Sequence, residues 1–221
     1  MTKPKRLNLR KDMTARDEIN PSIYNLIMGL FLTIGLVITA IMSKVLPENY
    51  FFTKNFYAIA IFTVVATIIG IVIMRFANNV ILITIGFLLL NVSIGFTVSL
   101  SMSFYKTEDI VIAVISTTAI AGIMTLLSTI FPRFFASIGR ALFIGLLVLV
   151  ITEILWVIIF KSLPTIFVII SVGIFSLYFG YDWYKAQSSP KTIKNAILSA
   201  GELYIDLINI FLDILELLDR K

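Results

Sequence analysis

Residues 195–220 read NAILSAGELYIDLINIFLDILELLDR, an apolar segment that carries polar side chains at intervals of four and three residues. This spacing puts the polar side chains on one face of an α-helix and leaves the rest of the helix apolar. An ionised carboxylate near the bilayer centre costs roughly 2.5–3.5 kcal/mol on insertion scales, so this face must contact other helices or water. We call the face the polar stripe; its members are Asn195, Ser199, Glu202, Asp206, Asn209, Asp213, Glu216 and Arg220.

The composition is that of an integral membrane protein. Of the 221 residues, 59% are hydrophobic and 14% are charged, and the mean hydropathy is +1.00. The first 21 residues form a basic cytoplasmic tail that is too short to fold alone, and residues 22–221 form one all-α domain. Apolar runs of about 20 residues predict seven transmembrane helices. They are Ser22 to Leu46, Phe51 to Met74, Val80 to Phe104, Ile110 to Phe131, Ala136 to Phe160, Pro164 to Tyr184 and Asn195 to Leu218.

The distribution of Lys and Arg predicts the orientation, because these residues accumulate on the cytoplasmic side of a membrane. With the N-terminus inside, twelve of the 18 basic residues lie on the cytoplasmic side and six on the other. The sequence therefore favours a cytoplasmic N-terminus and a C-terminus outside. The net charge of +5 reflects this topology and attraction to anionic lipid headgroups. It does not indicate a nucleic-acid surface, since the basic residues are scattered among loops.

The chain contains no Cys and no His, which excludes disulfides, thiolate nucleophiles, haem, iron–sulfur clusters and ordinary zinc sites. It also has neither a glycine-rich phosphate loop nor a nucleophile–base arrangement, so we expect neither an enzyme nor a resident cofactor. Ligands that are oxygen atoms only favour hard cations such as calcium. Any response to pH near neutrality must come from carboxylates.

Charged residues within the spans are the candidate functional residues. Asp206 lies halfway along the last helix and Asp182 near the cytoplasmic end of the sixth, and for both a functional role is favoured over a purely structural one. Glu153 lies in the middle of the fifth span and must point inward, where function and packing are equally plausible. Arg75 ends the second span, where its position alone is explained by topology. Glu202 lies one turn before Asp206, and Asp213 and Glu216 lie nearer the outer end, where a side chain can reach water; for these three a structural role is the simpler interpretation.

Two segments carry a resemblance to a known family. FSLYFGYD at residues 175–182 and ELYIDLINIFL at residues 202–212 resemble the C-terminal signature of the Bax inhibitor family, the transmembrane Bax inhibitor motif proteins. The resemblance implies a seven-helix bundle with the last helix central and a pH-sensitive calcium leak gated at a pair of hydrogen-bonded aspartates, Asp182 and Asp206. It also implies that Arg75 latches onto Asp182. Two departures are the lack of an acidic residue in the second span and the presence of Glu153, which the family pattern does not place.

If Asp182 and Asp206 touch, they form a pH-sensitive pair, because two carboxylates that share a site cannot both ionise cheaply. We expect protonation, pairing with Arg75 and calcium binding to compete for this site. The candidate pore-lining residues are Glu202, Asn209, Asp213, Glu216 and Glu153. The expected interactors are lipid, calcium and protons, together with a membrane-protein partner under the first alternative below.

Two alternative functions stay open. The first is a non-conducting regulator or scaffold that binds a membrane protease or a channel, with the basic tail from Lys3 to Arg16 as its partner surface. The second is a proton-coupled transporter of small solutes, although the chain lacks a transporter-like internal repeat. We expect the plasma membrane of a bacterium as the location, or an organelle membrane in a eukaryote.

Overall fold

The computed structural model describes residues 18–45 and 56–220, with side chains described from Ile61 onward in the second of these ranges. Within these ranges the chain forms seven helices: α1 Pro21–Val45, α2 Phe56–Phe76, α3 Val80–Met102, α4 Thr107–Ile130, α5 Pro132–Phe160, α6 Thr165–Ser188 and α7 Ile193–Asp219. The predicted all-α bundle is confirmed. The basic residues of the predicted tail, Lys3 to Arg16, lie outside the described residues, as do the first five residues of the predicted second span.

Helix α7 is the centre of the bundle. It packs against α1, α3, α4 and α6, whereas α2 packs mainly on α3, and α5 packs on α6 and α4. Almost half of α7 is buried, including large side chains such as Tyr204, Ile197 and Leu203. The same helix carries the polar stripe, of which Ser199 and Asp206 are buried, five members are partly buried and Arg220 is exposed. The carboxylates in the middle of the helix are therefore at least partly covered by protein, as their free-energy cost in lipid requires.

The periphery of the bundle is strongly apolar and suited to lipid. Five helices, α1 and α3–α6, are long and apolar enough to cross a membrane, and the part of α2 from Ile61 to Phe76 is a shorter apolar helix. In α5 the buried residues are Phe135, Leu142 and Leu149, which lie seven residues apart and form a narrow inward seam. Large exposed side chains such as Phe62 and Phe143 cover the outside. A soluble protein rarely exposes so much contiguous apolar surface, so this is a multi-pass membrane protein.

The fourth and fifth helices are joined more tightly than the sequence predicts. The predicted spans leave residues 132–135 between them, but α4 ends at Ile130 and α5 begins at Pro132. Proline occupies the first turn of α5, where its missing N–H would have no intrahelical acceptor in any case. Phe131 alone makes the corner, with φ −116° and ψ 55°.

Helices α2 and α3 approach each other at a pair of glycines. A Cβ atom on Gly70 would lie 2.9 Å from both the carbonyl oxygen of Gly86 and the backbone nitrogen of Leu90. These neighbours are backbone atoms, which no rotamer change can move. Small residues of this kind let transmembrane helices pack at short range, where van der Waals contact and interhelical hydrogen bonds replace the hydrophobic effect.

Substituting Gly70→Ala should therefore force α2 away from α3 and lower the free energy of unfolding by about 1–3 kcal/mol. Thermal unfolding in detergent micelles, followed by circular dichroism, measures the effect. Gly29→Ala is the matched control, because a Cβ at Gly29 meets no atom within 4 Å. An equal midpoint in the two variants would contradict the close approach.

Candidate functional site

The connection between α6 and α7 sets the position of the candidate site. Residues 189–192 are non-helical, and α7 begins at Ile193 after the N-cap residue Thr192, whose side chain accepts a hydrogen bond from the backbone N–H of Asn195 at 3.2 Å. Lys191 closes the end of α6, because its Nζ donates to the carbonyl oxygens of Ala186 at 3.0 Å and Gln187 at 2.7 Å. Desolvation lowers the pKa of Lys191. These contacts turn the chain within four residues and lay α7 alongside α6.

Helix α1 is tied to this hairpin by Tyr24, which is fully buried. Its hydroxyl donates to the carbonyl oxygen of Ala186 at 3.1 Å and lies 3.2 Å from Ser199 Oγ, which can donate in return. Ser199 is the second member of the polar stripe, so this position of the stripe is used to join three helices. It is a structural contact that the sequence did not predict.

Four charged side chains meet at the predicted cytoplasmic half of the α6–α7 pair, and we call them the Lys185 cluster: Arg75, Asp182, Lys185 and Glu202. Lys185 Nζ lies 2.6 Å from Glu202 Oε1 and 3.6 Å from Asp182 Oδ1. Asp182 is 8% exposed, whereas Lys185 reaches the surface. The ammonium group thus bridges a buried carboxylate on α6 and a half-buried one on α7.

The predicted pairing of Arg75 with Asp182 is not formed in this structure. Arg75 Nη2 lies 3.3 Å from Glu202 Oε1, and Lys185 is the cation within ion-pair distance of Asp182 among the described residues. The physical reason is local. Lys185 lies one turn after Asp182 on the same helix, whereas Arg75 reaches α7 along a small groove lined by Met74, Gly201 and Glu202, among others.

Asp206 is the most deeply placed acid of the stripe. It is 4% exposed, and its Oδ2 atom has no hydrogen-bond partner among the described residues. Its electrostatic neighbours are Asp182, Glu202 and Lys185. Asp182 and Asp206 are therefore close enough to interact electrostatically. Among the hydrogen bonds of the described residues, none joins these two side chains. A buried carboxylate oxygen without a partner is costly, and such an atom calls for a proton, water or a cation.

A second group of charges lies at the other half of α7, and we call it the Glu153 cluster: Glu153, Asp213, Glu216 and Arg220. Glu153 of α5 interacts electrostatically with Glu216 and Asp213. Arg220 pairs with Glu216 and donates to the carbonyl oxygen of Leu163 at 2.5 Å. Asp213 faces Ser171 of α6, and its Oδ2 atom has no partner in the described part of the chain.

Asn209 lies between the two clusters, and its Nδ2 donates to the carbonyl oxygen of Ile205 within α7 at 2.8 Å. The stripe is therefore not uniform. It has charged groups towards both ends, and between them lie the buried Asp206 and the Asn209 amide, which is hydrogen-bonded within α7. Among the described residues, no group of three acidic side chains converges as a metal site. Within the described ranges, Asp182 and Asp206 are two acids without a third, and a calcium ion usually takes six to eight oxygen ligands.

Comparison with known families gives a match. The family model described as Bax1-I, Inhibitor of apoptosis-promoting Bax1, matches residues 21–221. The chain belongs to the Bax inhibitor family. No curated protein matches this chain. The resemblance seen in the last fifty residues thus extends over all seven helices of this Bax inhibitor family protein, and the central position of its last helix agrees with that resemblance.

Lys185 is the residue that sequence reasoning missed in this Bax inhibitor family protein. The distribution of charge along the sequence places Lys185 only among the twelve basic residues of the predicted cytoplasmic side. A usable signal was present, because Lys185 follows Asp182 by three residues, which places both on one face of α6. The contact of Lys185 with Glu202 depends on how α6 and α7 are aligned, and no local pattern encodes that alignment.

Lys185→Met should leave Asp182 without its cation and reduce the charge that compensates Glu202. Because the lysine is partly exposed, we expect the free energy of unfolding to fall by about 1–3 kcal/mol. Adding Glu202→Gln to this variant should restore part of the loss, as measured by thermal unfolding in detergent. Lys106→Met, at an exposed helix end, is the control. Equal stability of the Lys185 and Lys106 variants would contradict the bridging role.

Proposed function

We propose that this Bax inhibitor family protein is a pH-sensitive calcium leak channel, gated by Asp182 and Asp206 on α6 and α7. The observation that supports the proposal best is the unpartnered Oδ2 atom of Asp206, held 4% exposed beside a second buried aspartate. A side chain that served packing alone would have its polar atoms satisfied. We further propose the plasma membrane of a bacterium as its location, with the N-terminus in the cytoplasm and the C-terminus outside.

The gating step is a change of charge between two helices. At low pH the aspartate pair keeps a proton, and the neutral form suits a dry site between α6 and α7. As the pH rises the proton is lost, and two anions in a site of low dielectric constant repel each other. The repulsion favours a state in which the helices separate or a cation enters.

Lys185 limits this response. Its ammonium group already neutralises part of the charge on Asp182 and Glu202, at 3.6 and 2.6 Å. A calcium ion that enters from the predicted cytoplasmic side would have to displace this tethered cation. In our proposal Lys185 therefore competes with calcium for Asp182, the role that the family resemblance assigned to Arg75. Arg75 acts indirectly, through its ion pair with Glu202.

The proposed ion path follows the polar stripe along α7. From Glu202 to Glu216 the helix rises about 21 Å, at about 1.5 Å per residue, which is most of the apolar thickness of a bilayer. The acidic groups of the Glu153 cluster would attract cations at the predicted outer end. Between the clusters, Asp206 and Asn209 are the polar groups that a passing ion would meet on α7.

Calcium flux into proteoliposomes containing the purified protein tests the proposal at pH 6, 7 and 8. We expect the leak to rise by at least about fivefold from pH 6 to pH 8, the lower end of usual coupling between a site and a conformational equilibrium. Asp182→Asn should abolish the pH dependence, and Asp206→Asn should alter the leak. Asp219→Asn, at the exposed end of the same helix, should behave as the wild type.

Two outcomes would overturn the proposal. One is flux no greater than that of empty liposomes at every pH, from protein shown to be folded; this would favour the non-conducting regulator. The other is an unchanged pH profile in Asp182→Asn, which would place the control of any leak elsewhere.

A further inference from the structure

A cavity of about 400 Å³ lies between α1, α3, α4 and α7, away from the Lys185 and Glu153 clusters. Its volume falls in the range of small-molecule sites, roughly 300–1,000 Å³. Two lining residues, Leu36 of α1 and Val114 of α4, are 39% and 50% exposed on the outside of the bundle. Because that outside surface faces lipid, the cavity opens sideways into the bilayer.

The cavity wall is apolar in effect, although it contains several hydroxyl groups. Thr39 donates to the carbonyl oxygen of Gly35 at 3.1 Å and lies 2.5 Å from the hydroxyl of Tyr204. Ser43 and Thr118 donate to backbone carbonyls of their own helices. Thr117 is the exception, because its hydroxyl lacks a partner among the described residues. The other lining residues, apart from Lys44, are apolar, so the interior offers an apolar chain few competing polar groups.

The positive charge of the cavity lies at one end. Lys44 is exposed in the last turn of α1 and lines the cavity, whereas Leu207 and Ile208, at mid-length of α7, line its deep part. From Leu36 to Lys44, α1 rises about 12 Å, close to the depth of one leaflet of hydrocarbon, which is half of about 30 Å. A ligand with an apolar tail and an anionic head matches both the depth and the charge.

We propose that this cavity binds one anionic phospholipid of the surrounding bilayer, with an acyl chain between α1 and α4 and its phosphate at Lys44. Lysine near an anionic headgroup is a common recognition element at the membrane interface. The lipid would fill the space beside Leu207, Ile208 and Phe211 and add van der Waals contacts to the cavity-facing side of these core residues. The site is independent of the proposed ion path.

Native mass spectrometry tests the proposal with purified protein in a detergent containing equal amounts of palmitoyl-oleoyl phosphatidylglycerol and palmitoyl-oleoyl phosphatidylcholine. We expect one tightly retained phosphatidylglycerol. Lys44→Glu should lower the ratio of retained phosphatidylglycerol to phosphatidylcholine by a factor of about five, which is the effect of one basic residue near an anionic surface. Lys161→Glu, at an exposed position outside the cavity, should keep the preference.

Filling the cavity provides a second test that does not depend on charge. Ala40→Trp, or Val114→Trp if the first variant unfolds, should lose retained lipid of both kinds. Ala136→Trp, exposed on α5 and outside the cavity, should retain it. The proposal is overturned if Lys44→Glu keeps the wild-type preference, if a folded cavity variant retains the same lipid, or if the ligand retained by the wild type is a free fatty acid.

Discussion

The free-energy cost of placing carboxylates in a bilayer governs the architecture of this protein. Helix α7 carries five acidic residues, Glu202, Asp206, Asp213, Glu216 and Asp219, and it lacks the apolar composition by which α1 and α3–α6 qualify as membrane spans. It can occupy the membrane only when other helices surround it. Its packing against α1, α3, α4 and α6 meets this condition, and the remaining helices are arranged around that core.

The polar groups of α7 are not equivalent once they are surrounded. Ser199 is used in packing through Tyr24, and Asn209 is bonded to its own helix. Glu202 and Glu216 form ion pairs with the side chains of Lys185 and Arg220. Asp206 and Asp213 each keep a buried oxygen without a partner in the described part of the chain. These two carboxylates, which lie on one face of α7, are the polar groups of the stripe that can still bind a proton or a cation.

Much of the fold could be predicted from the sequence, because long apolar runs and the spacing of the stripe are local signals. The start of α5 could not, since Phe131 and Pro132 allow a corner of one residue that hydropathy does not detect. The candidate site was predicted in part. The charge of Asp182 and Asp206 within apolar spans singles them out as candidates, but the pairing of Arg75 with Glu202 and the bridge made by Lys185 depend on the mutual alignment of α2, α6 and α7. Such alignment results from side-chain packing between helices, which a single sequence does not display.

The central position of α7 also has a consequence for biosynthesis. A ribosome makes α1 to α6 before α7, so the helix that forms the core is inserted after its neighbours. Until then, the surfaces of α1, α3, α4 and α6 that later cover α7 must be covered by lipid or by one another. The acidic helix is most readily accommodated when those neighbours are already present to receive it. Assembly of this bundle is therefore ordered along the chain, from the wall to the core.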